Sequence, residues 1–139
     1  MDMDLIEKTK NYFRAYERHD PGYVKGELAE GFTFTSPYDD AITREEYFKR
    51  CWPTEPLHQK FEFIAIARDG DRVLTAYECT MHRPNAVHPD MHFRNSELHT
   101  FENGKLKSVL VFFGDPPNGL TRRQFAVQSG AGEACGGAG

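Results

Sequence analysis

Asn95, Glu97 and His99 alternate along HFRNSELHTFENGKLKSVLVFFG, residues 92–114. Side chains of an extended strand point to opposite faces in turn, so these three share one side of a sheet with Phe101. An imidazole titrates near neutral pH and suits a general base, and a carboxyl group suits an acid or hydrogen-bond donor. Three polar groups in a row each need a partner once buried, which fits a cavity wall better than a filled core. The dipeptide Asn103-Gly104 fits a two-residue type I′ turn, where both residues need positive φ. That turn sets Phe101 opposite Leu106, His99 opposite Ser108, Glu97 opposite Leu110 and Asn95 opposite Phe112. Against Phe101, Leu110 and Phe112 the charged form of Glu97 is disfavoured, so it retains a proton. A bulge hidden at the turn would move these faces by one residue.

Other chemistry-bearing residues are weaker signals. Tyr12 and Tyr16 read first as core tyrosines with satisfied hydroxyls. Ser36 and Tyr38 stand at the end of a short strand, facing the rim. Phe34 is a wall residue, and Trp52 closes a helix as a wall or lid. His82, His88 and His92 lie close together but lack the spacing of a zinc site, so no metal is expected. Asp39 and Asp40 read as turn and cap residues. Cys51 and Cys79 read as small buried hydrophobes with no neighbour that would make a thiolate.

The elements that must position these residues follow from periodicity. Residues 4–19 form an amphipathic helix, with Leu5, Ile6, Thr9, Tyr12, Phe13 and Tyr16 on one stripe. Asp4 or Asp2 caps it. Asp20 and Pro21 cap and open a second helix reaching about Leu28. FTFTSP gives a short strand, Phe32 to Ser36, which Pro37 stops, and Tyr38-Asp39-Asp40 is a loop. Thr43 with Glu46 forms a capping box for a third helix carrying Tyr47, Phe48 and Cys51 inward, ended by Pro53. From Gln59 the pattern is extended: FEFIAIA, a turn at Asp69-Gly70-Asp71, RVLTAYECTMH, a loop over 83–91, then the hairpin. Three helices and a curved antiparallel sheet, one short strand and four long, make an α+β cone with the helices on its concave face. The cone spans residues 1–115. Residues 116–139, ending SGAGEACGGAG, form a C-terminal segment with too little apolar surface to order itself.

The chain has 139 residues, 39% of them hydrophobic and 27% charged, with a net charge of −4. That is one domain with an ordinary soluble balance. Acidic and basic residues interleave without a basic stripe, which argues against nucleic acid as a partner. The apolar run Val109 to Phe113 is too short to span a membrane. The acidic start MDMDLIEK is unlike a signal peptide, and three scattered cysteines suggest reduced thiols, so a cytoplasmic location is expected.

The element order, with YFRAYERHD ending the first helix, FTFTSP leading into the first strand and ENGKLKSVLVFFG as the last hairpin, resembles the nuclear transport factor 2-like superfamily in its SnoaL-like, ketosteroid isomerase-like branch. The resemblance covers residues 4–115. It implies a cone-shaped fold, no cofactor, and a cavity of a few hundred Å³, in order of magnitude, for a small hydrophobic molecule. By spacing to Asp20, Tyr12 matches the oxyanion tyrosine of ketosteroid isomerases, and by spacing from Phe101, Glu97 matches their late-strand acid. Their strand-one aspartate base is replaced here by Ser36, which disfavours that activity; Asp39 or Asp40 would reach the cavity only on a loop bent inward. Arg94 and Glu97 fall on opposite faces, so the triad of limonene epoxide hydrolases is not legible. The resemblance thus implies catalytic Glu97, His99 and Tyr12, with Tyr16, Phe34, Ser36, Tyr38, Trp52, Asn95, Phe101, Leu110 and Phe112 binding a carbonyl or polyketide-like ligand. A non-catalytic binding or dimerisation module stays open beside an isomerase or cyclase. Leu98, Val109, Val111 and Phe113 would form an outer apolar face joining a homodimer.

Overall fold

The computed structural model describes residues 4–52, 57–85, 87 and 89–114. Helix α1 runs Leu5–Glu17, with Asp4 Oδ1 accepting the Ile6 amide at 2.7 Å. Its far end stops where His19 turns left-handed (φ 57°) and the His19 and Asp20 amides reach back to the Tyr16 and Ala15 carbonyls. This is the paired closure that satisfies a helix's last carbonyls. Helix α2, Pro21–Glu27, opens on Asp20 and Pro21, and α3, Arg44–Cys51, opens on Thr43. All three caps agree with the residues that suggested them.

Among the described residues six strands follow or intervene: β1 Leu28–Ser36, β2 Asp39–Thr43, β3 His58–Asp69, β4 Arg72–His82, β5 Asp90–Glu102 and β6 Lys105–Phe113. They form one sheet in the order β2-β1-β6-β5-β4-β3, with β1 parallel to β6 and the other neighbours antiparallel. The architecture is α+β, as the sequence predicts, but with six strands rather than five. The added one is β2, at the place read as a loop. After Pro37 the chain turns tightly enough for Asp39 to pair with Ser36, and Ala41 (φ 48°) keeps the edge strand short. Strand β1 also begins earlier than predicted, at Leu28. Helix α1 packs on β3 and β4, and α3 packs on β1. Phe13, Phe32, Tyr47, Val73, Leu106 and Val109 are at most 1–2% exposed between the layers.

The last hairpin turns at Asn103 and Gly104, both with positive φ (52° and 77°). Phe101 pairs with Leu106 as expected. Thr100 then pairs with Ser108, which leaves Lys107 as an extra residue on β6. A bulge of this kind turns two successive side chains to the same side and reverses the alternation beyond it. The pairs are therefore His99–Val109, Glu97–Val111 and Asn95–Phe113. Val109 and Val111 are buried. Leu110 and Phe112, expected in the cavity, stand on the outer face, where Phe112 is 51% exposed. The predicted outer face is corrected by the same step. It carries Leu98 and Leu110 in register with Leu74, beside Phe112 and Ile64.

One prediction about the cysteines is overturned. Cys79 is free and buried, but Cys51 is disulfide-bonded. Among the described residues no helix is long and apolar enough to cross a membrane. Residues 116–139 lie outside the described residues, as do Pro53 and His88.

Candidate functional site

Strand β5 sits near the middle of the sheet, and its inward residues meet partners on both sides. Val73, His99 and Val109 form one row across β4, β5 and β6; Thr75, Glu97 and Val111 form the next. The third row holds Tyr77, Asn95 and Phe113. Tyr77 leans from its row to Glu97, and its hydroxyl donates to Oε2 at 2.6 Å. Glu97 Oε1 lies 2.9 Å from His99 Nε2, and Thr75 Oγ1 donates to the Glu97 carbonyl at 3.3 Å. Glu97 is 9% exposed and His99 fully buried. Both side-chain oxygens of Glu97 are thus engaged, Oε2 by the Tyr77 hydroxyl and Oε1 by His99 Nε2. The second imidazole nitrogen, Nδ1, is buried and has no hydrogen-bond partner among the described residues.

Helices α1 and α3 place three phenols over this pair. The Tyr12 and Tyr47 hydroxyls are 2.5 Å apart, and the Tyr16 hydroxyl also meets that of Tyr47. The Tyr12 ring stands edge-on to the His99 imidazole at 5.0 Å. Burial, and then the negative charge of nearby groups including Glu97, pushes the Tyr12 phenol well up; burial does the same to Tyr16. Burial followed by the Glu97 carboxylate raises Tyr77 likewise. All are neutral and keep their protons. The Tyr12 and Tyr16 hydroxyls are also hydrogen-bonded to each other, so the three phenols close into one mutual cluster.

The remaining predicted residues are distributed around this centre. Trp52 stacks on Tyr16 with ring centroids 4.4 Å apart, and Phe34 packs on Tyr47 at 5.1 Å. Tyr38 meets Phe113 at 5.8 Å, and Asn95 Oδ1 accepts the Gly114 amide at 3.2 Å. Ser36 faces inward and donates to Asp39 Oδ2 at 3.1 Å. Phe101 is buried at the opposite end, where it helps line a 330 Å³ recess with Asp4, Lys8, Arg68 and Asp71. That recess is walled by the start of α1 and the two hairpin turns, away from the phenols.

Tyr47 and Tyr77 are the residues that a reading of the sequence passes over. Alternation along β4 marks Tyr77 as inward, but its tie to Glu97 depends on cross-strand pairing. His82 and His92 lie on the outer face with Asp90 and Glu78 at 2.6 and 3.1 Å, and Arg94 is held there by Glu78 at 3.1 Å. Among the described residues no group of three or more His, Cys, Asp or Glu side chains is disposed to hold a metal ion. Burial, more than any charge, pushes the Cys79 thiol far up, so it is no nucleophile.

Solved structures share this fold. An epoxide hydrolase of the limonene epoxide hydrolase type from Mycobacterium tuberculosis superposes with a TM-score of 0.65 at 15% identity, covering 78% of this chain and 81% of its own. An NTF2-like protein of unknown function from Cytophaga hutchinsonii gives 0.64 at 19% identity, covering 82% and 93%. A provisionally assigned SnoaL-like polyketide cyclase from Jannaschia sp. gives 0.63 at 14%, covering 81% and 90%. No curated protein matches this chain in sequence. The model of the SnoaL-like domain matches residues 9–109, from the inward stripe of α1 to the last strand. The chain belongs to the SnoaL-like domain family, within the NTF2-like superfamily.

Proposed function

We propose that this domain binds a small hydrophobic carbonyl or polyketide-like molecule and works on it by acid–base chemistry without a cofactor. The observation that carries the reading is the buried, unpartnered Nδ1 of His99, whose other nitrogen is tied to Glu97. A carboxylate on Nε2–H fixes the tautomer and raises the basicity of the far nitrogen. Nδ1 then takes a proton from the carbon beside the ligand carbonyl. A hydroxyl of the Tyr12–Tyr47–Tyr16 cluster turns from its neighbour to donate to the carbonyl oxygen as negative charge develops there. Glu97 is a positioning carboxylate in this scheme, in place of the acid that the sequence suggests, and Tyr77 holds it.

The full burial of His99 favours a second reading, a binding or dimerisation module without turnover. In either case a homodimer through the outer sheet face is supported by the apolar band of Leu74, Leu98, Leu110 and Phe112. The Cys51 disulfide removes the argument from reduced thiols for a cytoplasmic location.

Two measurements separate these readings. Hydrogen–deuterium exchange at the α-carbons of 2-tetralone, followed by NMR, reads a positioned base directly. The enzyme reading expects acceleration of roughly 100-fold or more over buffer, lost in His99→Gln. Native mass spectrometry of protein from its source reads retained ligand. A bound molecule without exchange selects the binding module; neither result sinks both.

A further inference from the structure

The 330 Å³ recess at the turn end of the sheet lies outside the His99–Glu97 network. His99, the inward neighbour of Phe101 on β5, is fully buried and does not line it. The recess has the size of a small-molecule cavity, for which volumes run roughly 300–1,000 Å³. Hydrogen bonds to backbone hold its walls. The Phe101 amide donates to the Asp71 carbonyl at 2.8 Å, fastening the β3–β4 turn to β5. Lys8, its side chain 18% exposed, donates to the Gly104 carbonyl at 2.9 Å and to Glu27 Oε1 at 3.3 Å, fastening α1 to the β5–β6 turn. Arg68 pairs with the inward Val73, so its side chain leaves the inner face of the sheet, and its Nε donates to the Gly70 carbonyl at 2.8 Å.

The charges on these walls do not cancel in pairs. In the β3–β4 turn Asp69 and Arg72, three residues apart, close on each other at 2.8 Å. Arg68 and Asp71 have the same spacing and both line the recess, yet among the described residues neither has an ion-pair partner. The terminal nitrogens of Arg68 are left to donate and the Asp71 carboxylate to accept. Lys8 has committed two of its three protons, and Asp4 has committed Oδ1 to the Ile6 amide, leaving Oδ2. Both signs of charge thus face one space without meeting across it. We propose that this recess is a binding site for a small zwitterion with an apolar body, an amino acid with an apolar side chain. Its carboxylate takes the planar fork of Arg68 and the third proton of Lys8. Its ammonium donates to Asp71 and to Asp4 Oδ2, and its side chain lies on Leu5 and Phe101. A molecule with only one of the two charges leaves part of the wall unanswered, which is the source of discrimination. The site is independent of the acid–base reading of His99.

The test titrates L-phenylalanine into the isotope-labelled full chain and follows the amide signals by NMR. The controls are 3-phenylpropionate, which keeps only the carboxylate, and phenethylamine, which keeps only the ammonium. Saturable movement of the Leu5, Lys8, Arg68, Asp71 and Gly104 amides is expected, with a Kd on the order of 1 mM and either control at least about tenfold weaker. Arg68→Gln and Asp71→Asn should each weaken phenylalanine binding roughly tenfold, while Arg72→Gln, outside the recess, should change it less than about twofold. A structural disturbance alone would not sort the controls. Arg68→Gln must erase the preference over phenethylamine, and Asp71→Asn the preference over 3-phenylpropionate. No saturation below about 20 mM, either control binding as well as phenylalanine, or Kd values unchanged in both recess variants would overturn the proposal. Should a variant fail to fold, the two controls on the wild-type chain decide.

Discussion

Replacing Tyr77 by phenylalanine isolates the hydrogen bond on which the charge state of the interior depends. The ring packs edge-on against Phe13 at 5.0 Å and Phe61 at 5.4 Å, so Tyr77→Phe leaves the apolar contacts in place and removes one oxygen. What is lost is the 2.6 Å donation to Glu97 Oε2, together with a hydrogen bond to Asn95 that cancels in the comparison of backgrounds below. A hydrogen bond to an ionised acceptor contributes about 1.5–3 kcal/mol, and one between neutral groups about 0.5–1.5 kcal/mol. With Glu97 as the carboxylate of the proposed scheme, the expected cost of Tyr77→Phe is about 2–3 kcal/mol in urea denaturation. Glu97→Gln keeps an acceptor oxygen for Tyr77 but removes the charge. In that background Tyr77→Phe should cost only about 1 kcal/mol, and the difference is the coupling owed to the carboxylate. Equal costs in both backgrounds would refute the assignment of Glu97 as a buried carboxylate, and with it the tautomer given to His99.

Three further outcomes follow from the geometry. Deleting Lys107 removes the bulge and leaves Thr100–Ser108, His99–Val109 and Glu97–Val111 in register, so Val109 and Val111 stay inward; the expected result is a cooperative unfolding transition like that of wild type by circular dichroism, and loss of cooperativity would refute Lys107 as the extra residue. Leu74→Lys, on the outer face at 52% exposure, should convert a dimer to monomers in analytical ultracentrifugation while changing monomer stability by no more than about 0.5 kcal/mol; a monomeric wild type refutes the dimer. The folded-state carboxyl of Asp39 is raised above its unfolded value, so the folded chain binds that proton more tightly. Its contribution to stability is present in acid and is lost as pH rises through the folded-state pKa. Asp39→Asn should therefore gain stability relative to wild type between pH 4 and pH 7, in order of magnitude the span over which a raised carboxyl ionises, and urea titrations at the two values check the sign.

The sequence by itself determined the elements and most of their ends. Helix starts at Asp4, Asp20 and Thr43 are legible because a cap is a local hydrogen bond between a side chain and an amide two or three residues on. The turn at Asn103-Gly104 is legible because positive φ restricts residue type. The inward column of Asn95, Glu97 and His99 follows from the twofold alternation of a strand, which needs no knowledge of its partners. Tertiary structure alone decided what that column meets. Lys107 carries no mark of a bulge, since an extra residue is defined only against the strand beside it, and this one residue exchanged Leu110 and Phe112 for Val109 and Val111. Asp39 was legible as a turn former and not as a buried acid, because its burial depends on α3 folding over β1 and β2 and bringing Arg50 to it. The tie from Tyr77 to Glu97 and the meeting of Tyr47 with Tyr12 and Tyr16 likewise join residues 20, 35 and 31 positions apart. Spacing along the chain is fixed by covalent geometry, whereas approach across it is fixed by packing, and the proton-carrying groups of this interior are assembled by the second.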